Sequence, residues 1–157
     1  MNAPAHPNDI FKAENVRGFA RYRTDLLVFM GLDHLGGRSG RVFSLVREAG
    51  RWKLRPFTVL DGTPNAWIVY NDGIIILTGS ALWFAQSNRQ ARKLYGLDLA
   101  GLYPNSIVQG PEDDIYIGMR HYVLRLQKNG SNWIETWFVQ SGCVEAKIIE
   151  YKCECVR

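Results

Sequence analysis

Acidic and histidine side chains that could act in catalysis lie on two short segments of this 157-residue chain. Asp33 is followed by His34, a pair that could serve as acid and base. Glu112 and Asp113 lie in the acidic segment 111–114, and clustered carboxylates could bind Ca²⁺, which takes about six or more oxygen ligands. These carboxylates lack the alternating spacing that directs several ligands to one ion. Their residue types favour a turn, which explains why they occur together. We therefore expect exposed loops here, with no catalytic residue, no metal and no cofactor.

A glycine-rich segment, residues 36–40, carries Arg38 and has a composition that could cradle a phosphate. Phosphate loops of the common kinds open a helix, whose N-terminus supplies backbone N–H groups. Residues 36–40 instead join two predicted strands, so a hairpin loop is the expectation. The sequence also contains no Gly-x-Ser-x-Gly turn and no His-Glu-x-x-His motif.

Tryptophan is abundant, with five residues in the chain. Trp52 and Trp133 stand at matching positions 81 residues apart, which predicts a packing role between repeated units. The functional alternative is stacking on sugar rings. Trp83 and Trp137 are the candidates for it, because their neighbours alternate between polar and apolar and one face of each ring is expected to be accessible.

The three cysteines, Cys143, Cys153 and Cys155, all lie in the last fifteen residues. The first residues contain no apolar stretch of a secretion signal, so reduced thiols and a cytoplasmic location are predicted. A three-thiolate metal site lacks a fourth ligand at zinc spacing. A disulfide between Cys143 and Cys153 is the alternative for an exported protein.

Composition points to one globular domain. Hydrophobic residues make up 46% and charged residues 22% of the chain, values typical of a folded protein rather than a disordered one. The net charge of +4 is not gathered into a basic run, so no nucleic-acid partner is predicted. Apolar runs are far shorter than the roughly 18 residues needed to cross a bilayer, so no membrane segment is predicted.

An internal repeat is the strongest pattern in the sequence. Pro64-Asn65 recurs 40 residues later as Pro104-Asn105, and each pair is followed by an apolar stretch, an acidic turn, an apolar strand ending near glycine and an aromatic-rich strand. A third copy lies earlier, because residues 42–47 match residues 123–128 at an offset of 81. Repeats of about 40 residues indicate a modular architecture.

Each repeat is predicted to form four short strands, because apolar residues alternate or occur in short runs bounded by Gly, Asn, Asp and Pro. We expect an N-terminal extension over residues 1–17 and one all-β domain over residues 18–157, with repeats at about 18–62, 63–103 and 104–141 and a tail at 142–157 that contains one further strand. Residues 8–20 are the one helix candidate, although Gly18 weakens it. The predicted strands are 18–23, 26–31, 42–47, 52–59, 66–70, 74–78, 82–86, 91–97, 106–109, 114–118, 122–127 and 133–140.

The repeat resembles the blade of a β-propeller of the NHL and two-component-regulator type. Residues 104–108, 114–118 and 122–126 show the acidic turn, the apolar-aromatic strand ending in glycine and the aliphatic-basic alternation of those blades. The resemblance implies an antiparallel all-β architecture with three four-stranded blades, and it implies no particular activity.

Three blades are fewer than the roughly four to eight of a closed propeller. A second copy could complete a six-bladed ring, the terminal segments could cap an open arc, or the strands could rearrange into a sandwich or barrel. We favour a capped or dimerised arc, because repeat units need neighbours to bury their faces.

We therefore predict a non-catalytic binding protein that acts on a protein partner, such as an inhibitor or immunity-type protein, with residues 33–40 and 109–113 forming the binding edge. A carbohydrate-binding lectin assembled from several chains is the alternative. An enzyme is a third hypothesis, and it requires Asp33, His34, Glu112 and Asp113 to converge on one substrate.

Overall fold

The computed structural model describes residues 15–32, 39–86 and 90–139, and over these ranges nearly all regular structure is β-strand. Within each sheet, strands that follow one another along the chain pair antiparallel, and a 3₁₀ turn lies at Pro111–Asp113. None of the described residues forms a helix long and apolar enough to cross a membrane. The strands are β1 Asn15–Tyr22, β2 Asp25–Leu32, β3 Ser39–Glu48, β4 Arg51–Leu60, β5 Ala66–Tyr70, β6 Gly73–Leu77, β7 Ala81–Ala85, β8 Arg92–Gly96, β9 Ser106–Gln109, β10 Ile115–Gly118, β11 Tyr122–Asn129 and β12 Asn132–Val139.

The strands form three four-stranded sheets with the orders β1-β2-β3-β4, β5-β6-β7-β8 and β9-β10-β11-β12. We call them the first, second and third sheets. Each sheet is a simple meander, and no sheet closes into a barrel within the described part of the chain. The predicted all-β class with three four-stranded antiparallel units is therefore confirmed, and these units are consistent with propeller-like blades or with a sandwich.

The start of the first sheet differs from the sequence expectation. β1 begins at Asn15, so it reaches into the segment predicted as an extension, and the helix expected over residues 8–20 is wrong where it overlaps the strand. Residues of β1 pair with β2 from Asn15 opposite Gly31 to Tyr22 opposite Asp25. This ladder satisfies the backbone N–H and C=O groups that a helix would have paired internally.

The second and third sheets repeat each other in hydrogen bonding as well as in sequence. The N–H of Asn65 donates to the carbonyl of Leu77 at 2.8 Å, and the N–H of Asn105 donates to the carbonyl of Gly118 at 3.1 Å. The next turn repeats in the same way, from Thr78 to Ala81 and from Met119 to Tyr122, each at 2.9 Å. Positions in the two sheets can therefore be matched residue by residue.

The second sheet lies between the other two, and β6 is buried along its whole length. Successive side chains of a strand point to opposite faces. Ile74 and Ile76 accordingly pack with Phe29 and Leu27 of the first sheet, whereas Ile75 and Leu77 pack with the third. The third-sheet residues in that junction are Ile115, Ile117, Leu124 and Leu126, all fully buried. Two apolar junctions thus hold the three sheets in chain order.

Candidate binding surfaces

Several residues singled out from the sequence lie outside the described residues. They are Asp33, His34, Arg38, Cys143, Cys153 and Cys155.

The two segments expected to form one binding edge start from opposite ends of the sheets. Connections between first and second strands share one end, because the Tyr22 hydroxyl and the Arg23 guanidinium both donate to the carbonyl of Asp72. The turn that carries Glu112 and Asp113 is the equivalent connection of the third sheet. β2 ends and β3 begins at the other end of the first sheet, because consecutive connections of an antiparallel meander alternate ends. The described residues that flank the first segment, Leu32 and Ser39, therefore lie at the opposite end of the sheets from residues 109–113.

Glu112 and Asp113 lie in the 3₁₀ turn at Pro111–Asp113, as the turn-forming composition predicted. Both have left-handed backbone angles, with φ of 57° and 63°. The amide of Gln109 donates to Asp113 Oδ1 at 2.7 Å. Among the described residues, no group of three His, Cys, Asp or Glu side chains is placed to hold a metal ion.

Trp83 and Trp137, the candidates for sugar stacking, lie in the junctions between sheets. Trp83 packs against the junction of the first and second sheets, and its indole N–H donates to Thr78 Oγ1 at 3.3 Å. Trp137 packs against the junction of the second and third sheets, and its indole N–H donates to Glu135 Oε2 at 3.0 Å. Both rings are half-buried and take part in packing between sheets.

The third sheet presents an apolar face away from the second sheet, and we call it the outer face. Val108, Val123 and Ile134 on it are 57%, 39% and 45% exposed, and Tyr116 and Phe138 are half-buried. Strand pairing places Val108 beside Tyr116 and Val123 beside Phe138 on this side of the sheet. The second-sheet residues that match Val108, Tyr116 and Val123 are Ile68, Ile75 and Leu82, which pack in its junction with the third sheet. The outer face therefore repeats a surface that is covered elsewhere in the molecule.

An ion pair lies on the outer face, because Arg125 is paired with Tyr116 in the sheet and shares this side of β11 with Val123. Asp114 is 2% exposed, and its Oδ2 accepts from Arg125 Nε at 2.6 Å and Nη2 at 2.5 Å. The hydrogen bond with Asp114 raises the pKa of Arg125 above its ordinary value, so the guanidinium stays charged. Asp114 Oδ1 is buried without a hydrogen-bond partner. Arg125 therefore compensates the negative charge of the buried Asp114 carboxylate.

The first sheet also has a face turned away from the second. Val28, Met30 and Phe43 form a small buried cluster there, and every residue of that cluster belongs to the first sheet. Beside it, Phe19 and Leu26 are 58% and 38% exposed. The matching positions of the second sheet, 48 residues later, are Trp67 and Ile74, which pack in the junction with the first sheet.

A polar cavity of about 450 Å³ lies at the end of the sheets from which the second-to-third-strand connections leave. It is bordered by the segments that join one repeat to the next and by the turn between β6 and β7. We call it the polar cavity, and the hydrogen-bonding side chains that line it are those of Arg17, Thr63, Asn65, Ser80, Asp98, Tyr103 and Asn105.

The segment that carries Asp98 and Tyr103 is held in place by its own hydrogen bonds. The N–H of Leu97 donates to the carbonyl of Ser80 at 2.8 Å. The carbonyl of Leu99 accepts from the N–H of Leu102 at 3.0 Å, and the carbonyl of Leu102 accepts from the N–H of Arg120 at 3.2 Å. Leu97 and Leu99 are buried in the junction between the second and third sheets. The wall of the polar cavity is therefore preorganised by the fold.

Sequence reasoning had not proposed the polar cavity as a site. The available signal was the recurrence of Pro64-Asn65 as Pro104-Asn105, which places an amide at the same position in two repeats.

In comparisons with known proteins, no family model matches the chain and no curated protein matches its sequence at a significant level. The geometry of these surfaces is therefore the basis for the function.

Proposed function

We propose that this chain is a non-catalytic binding protein that acts through protein–protein contacts, and that its first partner is a second copy of itself. One observation carries the proposal. The outer face of the third sheet exposes Val108, Val123 and Ile134, and the second-sheet counterparts of the two valines, Ile68 and Leu82, are packed beneath the third sheet. Apolar side chains grouped on one face are typical of an interaction site.

The repeat indicates what kind of surface would cover the outer face. In the junction within the chain, the second sheet is covered by third-sheet residues Ile115, Ile117, Leu124 and Leu126. The first sheet carries aliphatic or aromatic residues at all four matching positions, namely Leu26, Val28, Phe43 and Leu45. The first sheet of a second copy is therefore the natural neighbour of the outer face.

Phe19 supports this pairing. Its counterparts in the other repeats, Trp67 and Ile107, each pack in the junction with the preceding sheet. Phe19 stays 58% exposed because no sheet precedes the first one within the described residues. Against a second copy, its ring would face Ser106 and Gly118, the counterparts of Gly18 and Phe29.

Two such contacts, related by a two-fold axis, would close six sheets into a ring. Six lies within the range of about four to eight blades that closed propellers have. The ring would then be a propeller of the kind that the NHL-like blade pattern suggests. A partner of different sequence, including an enzyme inhibited by this chain, is the competing occupant of the outer face.

The solution mass tests the proposal, measured by light scattering after size exclusion. We expect twice the 17.9 kDa chain mass for the wild type and a single chain for Val123→Asp, because a charge buried in an apolar contact without a partner is costly. Val69→Asp is the matched control, since Val69 is a similarly exposed valine, 49%, on a sheet that neither contact uses. A monomeric wild type would overturn the proposal, as would a dimer that Val123→Asp leaves intact.

A further inference from the structure

We infer that the polar cavity is a binding site for a neutral saccharide. This inference goes beyond the proposed protein–protein contact and does not depend on it, because the cavity and the outer face share no residue.

Equivalent positions of all three repeats meet at the polar cavity. In each repeat, Phe29, Leu77 or Gly118 on the second strand pairs with one residue of the first strand. The residue directly before that partner occupies the same position in all three repeats. Those residues are Arg17, Asn65 and Asn105, and all three line the cavity. Three hydrogen-bonding side chains are thus directed to one space by the repeat itself rather than by chance placement on a surface.

These side chains are available to a ligand. Within the described residues, the side chains of Arg17, Asn65, Tyr103 and Asn105 make no hydrogen bond or ion pair to another group. Each amide offers both a donor and an acceptor, the guanidinium only donates, and the Tyr103 hydroxyl does both. Sugar hydroxyls also donate and accept, so this mixed set matches them.

The charge of the lining selects against ions. Arg17 and Asp98 are the charged residues that border the polar cavity, and their formal charges cancel. A phosphate or carboxylate would be attracted by Arg17 and repelled by Asp98, and a cation would meet the reverse. A neutral ligand with many hydroxyls has no such penalty.

Tyr103 supplies an aromatic surface at the rim. It is 65% exposed, and its φ of 54° lies in the left-handed region, where a bulky residue is uncommon. Backbone strain of this kind costs on the order of 1–3 kcal/mol and is often found at ligand sites. An exposed ring beside amide and carboxylate side chains can pack on the C–H face of a sugar while its hydroxyls are hydrogen-bonded. The cavity volume of about 450 Å³ falls in the range of small-molecule sites, roughly 300–1,000 Å³.

Ligand-observed NMR and calorimetry on the full chain test the inference. The probes are glucose, galactose, mannose and N-acetylglucosamine, with glucuronate and inorganic phosphate as anionic comparators. We expect at least one neutral sugar to bind. We expect Asn105→Ala and Tyr103→Gly each to weaken that sugar about tenfold, the effect of losing one good contact.

Matched variants separate the site from the fold. Tyr103→Gly removes the ring but suits the left-handed backbone, so its melting temperature should not fall. Tyr103→Phe keeps the ring and should bind within about twofold of the wild type. Asn129→Ala removes an exposed asparagine on another hairpin and should have no effect. Val123→Asp should bind as the wild type does, whatever its effect on the solution mass.

Three results would overturn the inference. The first is the absence of binding by every neutral sugar at millimolar concentration. The second is binding of phosphate or glucuronate in preference to the neutral sugars. The third is sugar binding that Asn105→Ala and Tyr103→Gly leave unchanged, which would place the sugar elsewhere on the molecule.

Discussion

The indole ring of Trp67 stacks on the ring of Phe29, with centroids 3.8 Å apart and planes 4° from parallel. Trp67 belongs to the second sheet and Phe29 to the first, so this pair joins the two. The Trp67 N–H also donates to the carbonyl of Phe19 at 3.3 Å. Gly18 makes the approach possible, because a Cβ atom there would lie 2.8 Å from two atoms of the indole ring.

We expect Gly18→Ala to destabilise the protein by roughly 1–3 kcal/mol, the usual cost of overpacking a rigid contact. The second junction suggests how to relieve it, because its matching residues are Ala66 and Ile107, a larger residue facing a smaller one. The double variant Gly18→Ala with Trp67→Ile should therefore lose less stability than the sum of the two single variants.

Denaturant unfolding of the four proteins in that cycle gives the coupling energy. Gly79→Ala is the control, since a Cβ there would meet nothing within 4 Å. Additive single effects would show that the two junctions are not interchangeable at this position.

Much of the fold follows from local pattern. The predicted strands 66–70 and 106–109 have the observed bounds, because Pro-Asn precedes each and a turn follows. The buried run 74–77 belongs to the second sheet, which lies between the other two, and apolar residues on both faces of a strand are the sequence sign of that position.

The ends of the sheets were harder to assign from the sequence. Residues 33–40 and 109–113 both look like polar loops, yet one connects a second strand to a third and the other a first strand to a second. Counting strands within each repeat would have placed Leu32 and Ser39, which flank the first segment, at the opposite end of the sheets from residues 109–113. The polar cavity has a different difficulty, because Arg17, Ser80 and Asp98 are distant in the chain and only the packing of sheets brings them together.

The Asp114–Arg125 pair predicts that substituting Arg125 will cost more stability than substituting Asp114. Arg125→Ala leaves the buried Asp114 carboxylate without a partner, whereas Asp114→Asn leaves a guanidinium that can still reach water. Removing one member of a buried pair is most costly when the remaining charge is the buried one. We therefore expect Arg125→Ala to lower the melting temperature by several degrees and Asp114→Asn to lower it less.

Arg55→Ala is the control for that comparison, because Arg55 pairs with Glu48 on the exposed surface, where ion pairs contribute little. Melts at two protein concentrations separate the effect from a change in assembly. Equal losses for Arg125→Ala and Asp114→Asn would mean that solvent already compensates the Asp114 carboxylate.

Tyr70, at the end of the sheets opposite the polar cavity, predicts that the stability of the protein depends on pH. Burial and then the nearby Asp113 carboxylate raise the pKa of Tyr70 above its ordinary value of 10.0. A raised pKa means that the folded state favours the neutral phenol. The contribution of the neutral Tyr70 phenol to stability is complete below pH 10.0 and is lost as the pH rises through the folded-state pKa. Tyr70→Phe should therefore lose less stability than the wild type on raising the pH through this range.

Asp113→Asn should lower the pKa of Tyr70 while leaving part of the shift, because burial is the larger cause. Glu112→Gln is the matched control, since it removes the adjacent carboxylate, which does not contribute to the shift of Tyr70. NMR titration of the Tyr70 ring carbon in both variants measures the two effects directly. An equal change in the pKa of Tyr70 in the two variants would show that it responds to the general negative charge of this turn and not to Asp113 in particular.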